Sequence, residues 1–142
     1  MKTIEENIAE IESDFSMFDQ WVDKYAYLID LGKSLPLIDA KYKDEDHLIR
    51  GCQSQVWLAA RLNDQGRIEF TADSDAIITK GIISLLVRVL SGQTPQDIVQ
   101  ADLSFIDRIG LSSHLSPTRA NGLSEMIRQM KLYAAAFAAK EK

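Results

Sequence analysis

Cys52 is the only cysteine of the 142-residue chain and its best candidate for nucleophilic chemistry. It follows the turn-forming Gly51 and precedes an apolar run that starts at Val56. Three polar residues separate the cysteine from that run: Gln53, Ser54 and Gln55. Their amides and hydroxyl can donate hydrogen bonds to a thiolate, and the positive charge of Arg50 favours a lowered pKa of the thiol. The alternative is a structural cysteine, because free cysteine is often buried and then acts as a small hydrophobe.

A second segment with an unusual pattern begins at Ser116-Pro117, a typical helix start in which a capping residue is followed by proline. Arg119 falls in the first turn, where the helix dipole disfavours a cation. Gly122 falls within the first two turns, where glycine costs about 1 kcal/mol relative to alanine. Both residues are explained if Arg119 and the helix N-terminus face an anion, such as a sulfur anion, and if another backbone passes close to Gly122. The alternative is an ordinary capped helix start.

Composition and charge exclude several classes of function. The net charge of -5, with no basic block to balance it, argues against a nucleic-acid-binding protein. A single cysteine cannot form an intrachain disulfide, a thioredoxin-like pair or a four-cysteine zinc or iron–sulfur site, and it suits a reducing cytosol. His47 and His114 lack metal-ligand spacing, so we expect no metal site. The residues that follow Met1 form no apolar signal segment, and the most apolar stretch, 76–90, is too short for a bilayer, so we expect a cytoplasmic protein that does not enter a membrane.

Two helices are predicted at the start of the chain. Thr3 and Glu6 form a capping-box pattern, and apolar residues then recur with helical spacing. The pattern predicts helices over about 4–14 and 17–31, with Gly32 as the residue that ends the second one.

A β-hairpin and a buried helix are predicted in the middle of the chain. Apolar and polar residues alternate over 56–62 and 68–72, and the intervening Asn63–Gly66 segment is typical of a hairpin turn. The following segment, 75–90, is apolar nearly all round and predicts a central buried helix, with N-cap candidates among residues 73–75.

Shorter helices are predicted to follow the central one. Thr94-Pro95 starts one of them, and residues 102–109 form another. The last helix runs from Ser116-Pro117 to the C-terminus. This order of elements predicts an α+β fold, with a small antiparallel sheet packed against helices in a single domain over residues 1–142.

Several ordered motifs resemble the SufE family of sulfur-acceptor proteins, which includes the CsdE branch. The motifs are Tyr27–Gly32, Gly51–Trp57, Asp73–Ala76, Lys80-Gly81, Thr94–Ile98, Leu115–Arg119 and Asn121–Leu123. The resemblance implies a three-stranded antiparallel sheet in a SufE/IscU-like fold. It also implies a partner, a pyridoxal-phosphate-dependent cysteine desulfurase of the SufS type, and a downstream iron–sulfur scaffold of the SufBCD type. The pyridoxal phosphate belongs to the desulfurase, so we expect this chain to need no cofactor.

The resemblance implies that Cys52 accepts a sulfur atom as a persulfide, stimulates the desulfurase and delivers sulfur for iron–sulfur cluster assembly. Thiolate attack on a sulfur–sulfur bond, as in thiol–disulfide exchange, is the matching reaction. We expect Cys52 to alternate between a sheltered and an exposed position, and Arg119 to help hold the sulfur anion. Two alternatives remain open: a non-catalytic adaptor that regulates a desulfurase, and a single-cysteine thiol redox protein. The final sulfur recipient, the oligomeric state and the resting position of Cys52 are left open.

Overall fold

Two antiparallel strands and a set of helices make up the computed structural model, which describes residues 2–52 and 54–140. Helix α1 spans Ile4–Ser16 and begins with the predicted capping box between Thr3 and Glu6. Helix α2 spans Trp21–Lys33, four residues later than predicted at its start. Ser16 and Asp19 form the cap-like pattern that predicts a start at position 17, but the Ser16 hydroxyl donates to the Ser13 carbonyl inside α1, 2.7 Å away, and does not cap a new helix.

The hairpin is confirmed by strands β1, Val56–Leu62, and β2, Ile68–Ser74, which pair antiparallel with Val56 opposite Ser74 and Leu62 opposite Ile68. One face of the hairpin is buried and the other is partly exposed, as the alternation predicts. The buried face contributes Val56, Leu58, Ile68, Phe70 and Ala72 to the core. Helix α3, Ile77–Leu90, packs against this hairpin and contributes more buried side chains to the core than any other described helix.

The three-stranded sheet is not observed in the described residues, where the sheet has two strands. Single bridges flank it instead: Leu48 pairs with Trp57 beside β1, and Leu37 pairs with Ala72 beside β2. On the first side the extended segment is short, since it lies between the 3-10 helix Glu45–His47 and the turn at positions 50 and 51. On the second side Pro36 has no N–H to donate, although its carbonyl accepts a bond from the Ala72 amide at 3.0 Å.

Helices α2 and α3 approach each other closely through two glycines. A Cβ at Gly81 would lie 2.3 Å from the Leu28 carbonyl oxygen, and a Cβ at Gly32 would lie 3.2 Å from the Gly81 nitrogen. The prediction that Gly32 ends α2 was therefore wrong, because Gly32 lies inside α2 and allows this packing. The predicted cap of α3 was also wrong: the N-cap is Ala76, without a side-chain cap, because the Asp75 carboxylate bonds elsewhere.

The C-terminal part of the chain contains α4, α5, α6 and α7. Their bounds are Pro95–Gln100, Phe105–Arg108, Leu111–His114 and Pro117–Lys140. The cap of α4 by Thr94 is confirmed, whereas the predicted helix over 102–109 is shorter and α6 was not predicted. Gly110, with φ of 81°, separates α5 from α6. No described helix is long and apolar enough to cross a membrane.

Candidate functional site

The loop that carries Cys52 is attached at both ends to helices or to residues beside them. Gly51 has a left-handed backbone, with φ of 88°, and its carbonyl accepts a hydrogen bond from Asn121 Nδ2 of α7 at 3.0 Å. At the other end, the Gln55 amide donates to the Asp75 carboxylate at 3.0 Å, and the Asp75 amide donates to the Gln55 carbonyl at 3.3 Å. These bonds hold Cys52 between α7 and the start of α3.

Cys52 lies directly on Gly122 of α7. A Cβ at Gly122 would be 3.2 Å from Cys52 Sγ and 3.9 Å from Cys52 Cα, so a larger residue here would require the sulfur to shift by a few tenths of an ångström. The thiol points to the Gly122 carbonyl oxygen at 3.8 Å. The close backbone contact that Gly122 predicted is thus present, and the partner is the cysteine loop itself.

A cavity of about 60 Å³ opens beside Cys52. Its polar lining comes from Ser54, Thr79, Thr118 and Arg119. Its apolar lining comes from Ile82 of α3 and Met126 of α7, both of which are buried. The half-buried cysteine therefore borders a small cavity. Hydroxyl groups and one cationic side chain line part of its wall, and apolar side chains line the rest.

The pKa of the Cys52 thiol is raised above its usual value, first because burial disfavours the thiolate and second because the Glu125 carboxylate is nearby. The prediction that Arg50 lowers this pKa was wrong, because Arg50 points into solvent and proximity in sequence does not bring its charge to the sulfur. In this conformation the sulfur is mainly a protonated thiol at neutral pH.

The predicted supporting residues occupy different positions. Ser54 lines the cavity, whereas Gln55 is exposed and uses its backbone to bond Asp75. Gln53 lies outside the described residues. Arg119 lines the cavity at the N-terminal end of α7, where its amide donates to the Ser116 hydroxyl at 3.2 Å. Within residues 2–52 and 54–140, its guanidinium is exposed and has no ion pair.

Other residues near the cysteine were not predicted from the sequence. Thr79 and Thr118 add hydroxyls to the cavity, and Glu125 and Asn121 flank Gly51. Asn121 and Glu125 lie four residues apart, which places them on one face of α7, but only the folded position of the loop shows that this face meets Gly51.

His114, which the sequence left without a metal-binding role, is stacked on Trp21 with ring centroids 3.7 Å apart. Its Nδ1 lies 2.9 Å from the Gly110 carbonyl oxygen. It does not line the cavity beside Cys52. Among the described residues, no group of three or more His, Cys, Asp or Glu side chains is placed to hold a metal ion.

The chain matches a known protein family and resembles a solved structure. The model of the SufE family, described as an Fe-S metabolism associated domain, matches residues 9–134. The chain belongs to the SufE family. The fold is also similar to that of a solution structure of a hypothetical protein from Thermus thermophilus, with a TM-score of 0.78 and 16% identity over 94% of this chain and 96% of that one. The SufE match associates this chain with iron–sulfur metabolism.

Proposed function

We propose that this SufE-family protein accepts a sulfur atom from a pyridoxal-phosphate-dependent cysteine desulfurase of the SufS type, carries it on Cys52 and delivers it for iron–sulfur cluster assembly. The observation that carries the proposal is the position of the only cysteine, half-buried in a loop on α7 and beside a small cavity. A SufBCD-like scaffold is the proposed recipient, and a cytoplasmic location stays a prediction.

The proposed transfer is one displacement at sulfur. The Cys52 thiolate attacks the terminal sulfur of the desulfurase persulfide, a bond forms between Cys52 Sγ and that sulfur, and the older sulfur–sulfur bond breaks. The desulfurase cysteine leaves as a thiolate, so no external oxidant or reductant is needed. By regenerating the free enzyme thiol, the transfer also stimulates desulfurase turnover.

In the conformation observed here, the Cys52 sulfur is partly sheltered from solvent and from a reacting partner. Burial and the Glu125 charge raise the pKa of the thiol and so favour its protonated form. The contact with Gly122 covers one side of the sulfur. Attack on a partner requires a thiolate and an open line of approach. The proposed reaction therefore includes movement of the loop outward when the desulfurase binds, and movement back once the sulfur is loaded.

Arg119 is proposed to hold the loaded sulfur. A terminal persulfide sulfur is anionic, because a persulfide is a stronger acid than a thiol. The Arg119 side chain lines the cavity and has no other ion pair in the described part of the chain. Its charge and the N-terminal end of α7 both favour an anion there.

Replacing Cys52 with serine separates sulfur acceptance from the adaptor alternative. In an assay of desulfurase turnover with cysteine, we expect wild-type protein to stimulate the enzyme and Cys52→Ser to lose the stimulation, although its folded surface is retained. Gln55→Ala, which alters the same loop at an exposed side chain that does not line the cavity, serves as the matched control and should still stimulate. If Cys52→Ser stimulates as well as wild type, the protein acts as an adaptor and not as an acceptor.

A further inference from the structure

Thr79 carries a buried hydroxyl that has no hydrogen-bond partner in the described part of the chain. The residue is 6% exposed, and within residues 2–52 and 54–140 its hydroxyl makes no hydrogen bond. Threonine in a helix commonly bonds a carbonyl three or four residues earlier, and that bond is also absent here. Ser84 on the same helix is equally buried, at 6%, but donates to the Leu31 carbonyl at 2.8 Å. Buried hydroxyls normally have partners, so Thr79 needs an explanation.

Thr79 lines the cavity beside Cys52, and its hydroxyl oxygen is not fully enclosed by protein. Every fully enclosed side-chain oxygen or nitrogen in the described residues has a hydrogen-bond partner. Because the Thr79 oxygen has none, it must be accessible to solvent or to a cavity, and the cavity that Thr79 lines is the one beside Cys52. A cavity needs roughly 10–15 Å³ to admit one water-sized atom. The observed volume of about 60 Å³ therefore has room for one additional sulfur atom on Cys52.

We propose that Thr79 is a positioning residue, whose hydroxyl donates a hydrogen bond to the terminal sulfur of the Cys52 persulfide in the sheltered position. The inference rests on the proposed function, because it requires that Cys52 carries a persulfide sulfur. It does not require that this sulfur comes from a desulfurase. Thr79 supplies a neutral donor from the α3 wall of the cavity, and Arg119 supplies positive charge from the α7 wall. A hydrogen bond to a charged acceptor is stronger than one between neutral groups, so it would favour the loaded form of Cys52 in this position over the unloaded thiol.

The isosteric change Thr79→Val removes the donor and keeps the shape. Cys52 is loaded with inorganic polysulfide: its thiolate attacks the terminal sulfur of the polysulfide, the bond between that sulfur and the next one breaks, and a polysulfide shorter by one sulfur leaves. The rate at which a small thiol reductant removes the added sulfur is then followed by intact-protein mass spectrometry. With reduction occurring from the exposed position, loss of one hydrogen bond to a charged sulfur in the sheltered position should raise this rate roughly 10-fold or more.

Three comparisons separate this role from a structural one. Thr79→Ser keeps a hydroxyl and should restore the slow loss, and Ser84→Ala, which removes another buried hydroxyl from α3, should leave the rate at the wild-type value. Alkylation of the unloaded Cys52 thiol should change by less than about two-fold in Thr79→Val, because the thiol faces Gly122 and not a Thr79 hydrogen bond.

The proposal is overturned if Thr79→Val loses the added sulfur at the wild-type rate, or if persulfide loss and thiol alkylation accelerate equally. A water molecule that satisfies Thr79 would give the first result, and a general loosening of the fold would give the second. A wild-type protein that is loaded by polysulfide but not by a desulfurase would contradict the proposed function while leaving this test intact.

Discussion

Replacing Gly122 with alanine tests how tightly Cys52 lies on α7. The new Cβ would be 3.2 Å from Cys52 Sγ but 3.8 Å from Cys52 Cβ. The second distance is an ordinary van der Waals contact, whereas the first requires the sulfur to move. The cost of the change therefore depends on the sulfur atom itself, and a second substitution, Cys52→Ala, removes that atom.

Two opposing effects set the magnitude. Inside a helix, alanine is favoured over glycine by about 1 kcal/mol. Overpacking costs about 1–3 kcal/mol when neighbours cannot shift, and a loop can shift part of the way. We therefore expect Gly122→Ala to stabilise the Cys52→Ala protein by about 1 kcal/mol and to give little or no gain in the wild-type background, which is a coupling of about 0.5–1 kcal/mol.

Urea unfolding of the wild type, both single variants and the double variant measures this coupling. Alkylation of Cys52 gives a second readout, because a displaced loop should expose the sulfur and make it react faster in Gly122→Ala. Equal stabilisation in the two backgrounds, together with an unchanged alkylation rate, would refute the inference that the loop is held against α7 through the sulfur.

Two further predictions concern the charge beside the sulfur and the packing of the core. Because burial and Glu125 raise the pKa of Cys52, its alkylation should increase up to a higher pH than the alkylation of an ordinary cysteine thiol does, and Glu125→Gln should shift this pH profile to lower pH; an identical profile would show that the carboxylate does not act on the thiol. Gly81→Ala should destabilise the protein by about 2 kcal/mol or more, because its Cβ would meet the Leu28 carbonyl oxygen, a backbone atom, at 2.3 Å. Gly32→Ala, with 3.2 Å available, is the matched control, and thermal unfolding should show a clearly smaller loss.

Much of the fold could be predicted from local sequence signals. The capping box at Thr3 and the threonine cap before Pro95 satisfy backbone groups within one turn, so their effect does not depend on distant residues. The hairpin follows from strict alternation around a turn. Elements whose state depends on neighbours were less predictable: Gly32 has the sequence appearance of a helix end, but its role is set by the approach of α3.

The candidate site was only partly visible for the same reason. Cys52 is conspicuous as the only cysteine, and the cost of Gly122 in a helix indicated a close neighbour. Thr79 is one of the few polar residues on a helix that is apolar nearly all round. Because these residues form no continuous polar face, the sequence did not indicate which neighbours the Thr79 hydroxyl meets. The direction in which the Cys52 pKa shifts was mispredicted, because its causes, first the burial of the thiol and second the Glu125 carboxylate, both arise only in the folded chain.

The most direct test of sulfur acceptance is intact-protein mass spectrometry after incubation with a cysteine desulfurase and cysteine. We expect a gain of one sulfur atom that a thiol reductant removes, and peptide mapping should assign it to Cys52. The Cys52→Ser protein should show no gain under the same conditions. Wild-type protein that stays at its original mass while the desulfurase is active would contradict the proposal that Cys52 is the acceptor.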